Sequence, residues 1–136
     1  MARQIFVNLP VRDLPKSKAF YEAVGFTNNP QFTDDTAACM VLSDTIYVML
    51  LTHAKWATFT RKPIANAHEM AEVALALTCE SRAAVDAMVE AGAAHGGKAD
   101  PNPAQDLGFM YQRSLEDLDG HSWEPLFMDM SRMPQG

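Results

Sequence analysis

The spacing of hydrophobic positions changes several times along the chain, and each change marks an element. Residues 3–11, RQIFVNLPV, are β-rich, with Pro10 suggesting where the ladder ends. From Asp13 the spacing becomes helical in DLPKSKAFYEAVGF, with Ala19, Phe20 and Ala23 recurring on one side. Asp13 suits the N-cap, Pro15 the first turn, and Gly25 the stop. Three short β-like runs follow, about 27–33, AACMVLS at 37–43 and TIYVMLLT at 45–52, with Ser43-Asp44 as a tight connection. The first half therefore reads β-α-β-β-β.

Residues 53–70, HAKWATFTRKPIANAHEM, hold no steady period and contain Pro63, which predicts a linker with a helical turn around Trp56. AEVALALTCES (71–81) reads as a strand, and SRAAVDAMVEAGA (81–93) as a helix capped by Ser81 and closed at Gly92. Gly96-Gly97 and Pro101-Asn102-Pro103 punctuate a loop before two further strands, 108–117 and 121–128. The last eight residues read as a frayed end. The second half thus repeats the order of the first, with Val7 over Val73, Leu9 over Leu75 and Val11 over Leu77, an offset of 66. The expected architecture is α+β: a first β-α-β-β-β module over 1–52, a linker over 53–70, a second module over 71–128 and a tail over 129–136. The two sheets are expected to form one curved, cleft-bearing surface with the helices outside.

Composition changes this picture little. Apolar residues make up 48% and charged residues 21% of 136, which is ordinary for a globular domain. A net charge of −6, with 11 scattered Lys and Arg, excludes a nucleic-acid backbone as the expected partner. No apolar run approaches the roughly 20 residues of a membrane span, and the first residues lead straight into a strand, so a cytoplasmic location is the expectation. Cys39 and Cys79 form no CxxC pair and read as two reduced, buried thiols. Neither a phosphate-binding loop nor a GxSxG elbow is present.

Four features carry a family resemblance: VRDLPKSKAFYEAVGF, the duplicated order, the DLDGHSWE ending at 117–124, and the length. Together they resemble the vicinal oxygen chelate superfamily, which includes glyoxalase I, bleomycin- and fosfomycin-resistance proteins and extradiol dioxygenases. Within it, the chain is most similar to a glyoxalase-like branch labelled predicted lactoylglutathione lyase. The resemblance implies a cleft on the inner sheet face, a homodimer, and, in enzyme members, a divalent metal held from four strand positions. Carried over individually, those positions fall on Glu124, four residues after Gly120, on Glu72, five before Leu77, on Phe6, and on or near Leu50. Two of the four are carboxylates and both imidazoles are missing.

Strand alternation places Asn8 beside Phe6 in such a cleft, and Ser122 beside Glu124. A metal held by Glu72, Glu124, the Asn8 amide and waters would be a hard cation such as Mg, Mn or Ca. Without metal, Glu72 and Glu124 facing one another would form an acid/base pair. The plainer alternatives are solvated carboxylates at strand ends. Phe109, Tyr111 and Arg113 share one strand face and are expected at the cleft mouth against a polar substrate, the alternative being ordinary sheet packing. His121 reads as a turn residue, and His68 as the histidine nearest the cleft.

Two function classes follow. One is a glyoxalase-like enzyme, a lyase, isomerase or dioxygenase-like protein, acting on a small oxygenated substrate with Glu124 as ligand or base and Glu72 as its partner. The other is a metal-free binding protein of the drug-resistance kind, with a cleft lined by aromatic residues such as Phe6, Tyr47, Phe109, Tyr111 and Trp123.

Overall fold

A computed structural model describes residues 2–132. The chain divides after Asn66 into two compact units, and the architecture is the expected α+β.

The first unit contains β1 (Ile5–Val11), α1 (Leu14–Ala23), β2 (Thr27–Asn29), β3 (Ala37–Val41), β4 (Ile46–Thr52) and the single-turn α2 (His53–Trp56). Its sheet runs β1-β4-β3-β2, with β1 parallel to β4 and the other pairs antiparallel. Alternation decides what each strand buries: Leu9, Val11, Val48, Leu50, Ala38 and Met40 are all buried, on the face that α1 covers. Tyr21 of α1 makes edge-to-face ring contacts with Phe20 and with Phe26, the centroids 5.2 and 5.4 Å apart. The Asp13 carboxylate accepts from the Lys16 N–H at 3.1 Å and so caps the helix. β2 stops short of the expected 27–33 because Pro30 opens a 3₁₀ turn, Pro30–Phe32, started by the Asn29 side chain.

The second unit contains β5 (Ala74–Thr78), α3 (Arg82–Ala94), β6 (Lys98–Ala99), β7 (Gln105–Asp106), β8 (Met110–Gln112), β9 (Leu115–Glu116) and β10 (Ser122–Met128). β8 and β9 are two parts of one strand: both run antiparallel to β10, and between them the Arg113 N–H donates to the Pro125 carbonyl. β6 and β7 are likewise two parts of one outer strand, paired to β9 and β8. With β5 parallel to β10, the order repeats that of the first sheet. The split outer strand escaped sequence reading because two-residue strands show no period and Pro101 and Pro103 interrupt them.

The repeat is real, but its offset is 68 rather than 66. The caps Asp13 and Ser81 stand 68 residues apart, and each accepts from the N–H three residues on. At that offset the buried Ser17, Phe20 and Tyr21 of α1 correspond to the buried Val85, Met88 and Val89 of α3. Leu9 and Leu77, both buried, then correspond as well. An even slip preserves the inward and outward sides of each strand, so alternation alone could not detect it.

The DLDG turn closes the second unit. The buried Asp117 accepts through one oxygen from the N–H groups of Asp119 and His121, both at 2.9 Å. Gly120 has φ +87, and a Cβ there would lie 2.6 Å from the backbone nitrogen of His68. Glycine thus allows the chain entering this unit to rest on the turn. In the expected frayed tail, Met130–Arg132 instead form a 3₁₀ turn, which the Asp129 carboxylate starts by accepting from the Ser131 N–H at 3.0 Å. Residues 133–136 lie outside the described residues. Among the described residues, no helix is long and apolar enough to cross a membrane.

Candidate functional site

The face of the first sheet opposite α1 carries two hollows. One, of about 350 Å³, is lined by Gln4, Phe6, Asn29, Phe32, Cys39, Tyr47 and Met49. Parallel register sets Phe6 against Tyr47. Their rings stack with centroids 4.4 Å apart and planes 10° from parallel. The Tyr47 hydroxyl accepts from the Gln4 amide and donates to the Asp44 carbonyl, both at 3.1 Å, which fixes the ring. Phe6 nevertheless remains 47% exposed. The second hollow, of about 280 Å³, is lined by Asn8, Leu51, Trp56, Phe59 and Thr60. The expected Phe6, Asn8 and Tyr47 therefore all lie on this open face.

Gln4, Cys39, Met49, Leu51, Trp56 and Phe59 were not placed in the cleft by sequence reading. Alternation from Phe6 points to Gln4, and alternation from Tyr47 points to Met49 and Leu51. Trp56 and Phe59 lie in a stretch without period, where only tertiary structure places them. Burial pushes the Cys39 thiol above its ordinary range.

On the second sheet, Glu124 is half-buried and accepts from the Gln112 amide at 2.8 Å. Its register partner on β5 is Ala76, and Ala74 pairs with Ser122. Glu72 precedes β5 and is exposed. It lies four residues before Ala76, about 13 Å along a strand at ~3.3 Å per residue. The expectation that Glu72 stands opposite Glu124 is corrected accordingly: the strand presents Ala76 there. At corresponding register in the first unit stand Asn8 and Met49, not Phe6 and Leu50; Leu50 is buried on the α1 side. Among the described residues, no three His, Cys, Asp or Glu side chains come together in a group able to hold a metal ion.

Tyr111 and Arg113 also require correction, because they point to the helix side. The Tyr111 hydroxyl donates to Asp86 on α3 at 2.7 Å. Arg113 binds Asp100 through two nitrogens, at 3.0 and 2.6 Å, and reaches Asp86 and Glu90 on α3, both at 3.0 Å. The Asp100 hydrogen bond, opposed by burial and helped by Asp86 and Glu90, raises the guanidinium pKa. The Tyr111 hydroxyl, followed by Arg113, holds Asp86 below the usual carboxylate range. Arg82 and Asp106 form a neighbouring pair at 2.8 Å that brings the Asp106 carboxyl down to about 2. Trp123 is 3% exposed and shares the covered face with Pro125. Phe109 is half-buried just before β8, where its carbonyl accepts from the Asp129 N–H at 2.7 Å. Tyr111 and Arg113 thus tie sheet to helix, which is the alternative of ordinary packing.

Residues 3–43 match the family described as bleomycin resistance protein-like N-terminal. A hypothetical protein, SA1046 from S. aureus, superposes with a TM-score of 0.76 at 29% identity, covering 93% of this chain and 95% of that one. A glyoxalase/bleomycin resistance protein/dioxygenase family enzyme from Burkholderia phytofirmans gives 0.74 at 20% identity, over 93% and 99%. The bleomycin resistance determinant encoded on transposon Tn5 gives 0.64 at 18%, over 95% and 100%. No curated protein matches.

Proposed function

We propose that the chain is a member of the vicinal oxygen chelate superfamily and, within it, a small-molecule-binding protein of the bleomycin-resistance type. The observation that supports this reading is the stacked Phe6–Tyr47 pair, left open beside a hollow of about 350 Å³. A half-exposed phenylalanine locked against a tyrosine is a ready platform for a flat apolar group, and covering it removes apolar surface from water at about 25 cal/mol per Å². Binding of this kind needs no metal. A homodimer, as the resemblance implies, and a cytoplasmic location belong to the same reading.

One observation favours a second reading, a glyoxalase-like enzyme of the lactoylglutathione lyase branch. Gln112 orients the half-buried Glu124, and Ala76 at its side leaves space for a reacting group. There Glu124 would act as general base toward a carbon acid, with Gln112 holding one carboxylate oxygen. Glu72, about four strand residues away, would serve at the margin of that space rather than on the same proton.

Calorimetric titration with neutral aromatic compounds separates the readings. Phe6→Ala should weaken binding about tenfold or more, corresponding to ~1.4 kcal/mol or above, while Glu124→Gln leaves affinity unchanged. Turnover of an α-hydroxy thioester that is lost in Glu124→Gln and unaffected by Phe6→Ala would overturn the binding reading in favour of the enzyme.

A further inference from the structure

The two hollows of the first sheet are successive stations on one pair of strands. Register sets Phe6 against Tyr47, then Asn8 against Met49, then Pro10 against Leu51. The first hollow takes Phe6, Tyr47 and Met49 as part of its lining, and the second takes Asn8 and Leu51. Because alternate residues share a face, the stations follow one another at about 7 Å intervals along the open side. Both ends are aromatic: the Phe6–Tyr47 stack at one, Trp56 and Phe59 at the other. Between them, the Asn8 amide offers both a donor and an acceptor.

Charge narrows the ligand further. Among the described residues that line the two hollows, none has a side chain ionisable at neutral pH; the polar ones include Gln4, Asn29, Asn8 and Thr60. An anion entering the first hollow would lose its water without gaining a Lys or Arg from the lining and would approach a chain of net charge −6, while at the second the Lys55 ammonium already lies 5.6 Å from the Phe59 ring centroid. A cation would find no carboxylate in the lining.

Resting on the binding reading above, we infer that the ligand is an uncharged, elongated molecule with an apolar ring at each end and a polar link between them. One ring lies on Phe6 and Tyr47, the other lies against Trp56 and Phe59, and Asn8 hydrogen-bonds the link.

N-(2-phenylethyl)benzamide, with two rings joined through an amide, is the test ligand. N-methylbenzamide, with one ring, and the 4-carboxylate of the two-ring amide are its controls, each titrated calorimetrically into the whole chain. The two-ring amide should bind at least about tenfold tighter than either control. Trp56→Ala should abolish its advantage over the one-ring amide, and Asn8→Leu should weaken it about tenfold. Phe59→Ala, at a residue 68% exposed, serves the same purpose as Trp56→Ala should that variant misfold. Equal binding of the two amides, undiminished two-ring affinity in Trp56→Ala and Phe59→Ala, or tight binding of the carboxylate would overturn the two-ring assignment and leave the binding reading standing. Absence of binding by all three compounds would overturn both.

Discussion

The two halves share a topology and differ in nearly everything laid upon it. In the first unit the helix-covered face is a ring cluster of Phe20, Tyr21 and Phe26, and the open face is aromatic with no carboxylate lining its hollows. In the second unit the helix itself buries the aliphatic Val85, Met88 and Val89, with ionic stitching around Arg113, and the open face presents Glu124 among Ala74, Ala76 and Ser122. Strand order and cap position thus leave the chemistry of each face open to change. Alternation isolates the faces, so one can lose metal-type donors while the other keeps a folded core.

The comparison is most sharply tested at corresponding helix positions. Phe20→Ala should cost about 3–5 kcal/mol, and Met88→Ala about 2–4, since each is buried against its sheet and the ring fills more volume. Urea unfolding of both variants measures this, and equal losses would mean that the aromatic and aliphatic cores are equivalent. Gly120→Ala comes next, at about 2 kcal/mol, because the left-handed backbone and the close approach of His68 both resist a Cβ. Trp123, the only tryptophan of the second unit, should report the change by fluorescence when Trp56 is replaced by Phe.

Arg113→Met should cost less, about 1–2 kcal/mol, since Asp86, Glu90 and Asp100 are each more than a third exposed and water screens their mutual repulsion. Acid gives the smallest contrast. Asp86, Asp100 and Asp106 all have lowered pKa values, against Asp34 in the first unit. Their stabilising effect is complete above the ordinary unfolded value of about 3.9 and is lost as pH falls through the folded values, about 2 for Asp106. Hydrogen exchange should therefore show protection falling between about pH 4 and 2 more in α3 and β8 than in α1 and β4. A uniform loss would remove the ionic distinction between the halves.

Much of the fold was legible because it rests on local chemistry. Asp13, Pro15 and Ser81 announce both helices, and alternation in IFVNLPV announces the first strand. Of the open face, Phe6 and Asn8 follow from the same alternation and Tyr47 from its own strand. The split of the outer strand into β6 and β7 was not legible, since pairing with β9 and β8 defines those residues, not any preference of their own.

What the sequence by itself determined is the duplicated β-α-β-β-β order, the caps, the DLDG turn and the alternation of sides along the first strand. Tertiary structure alone decided the register: whether Glu72 or Ala76 lies beside Glu124, and whether Tyr111 and Arg113 meet a ligand or a helix. The reason is geometric. A slip of four residues along a strand leaves every side chain on its own face and every local signal intact, yet moves a carboxylate about 13 Å, from contact to none.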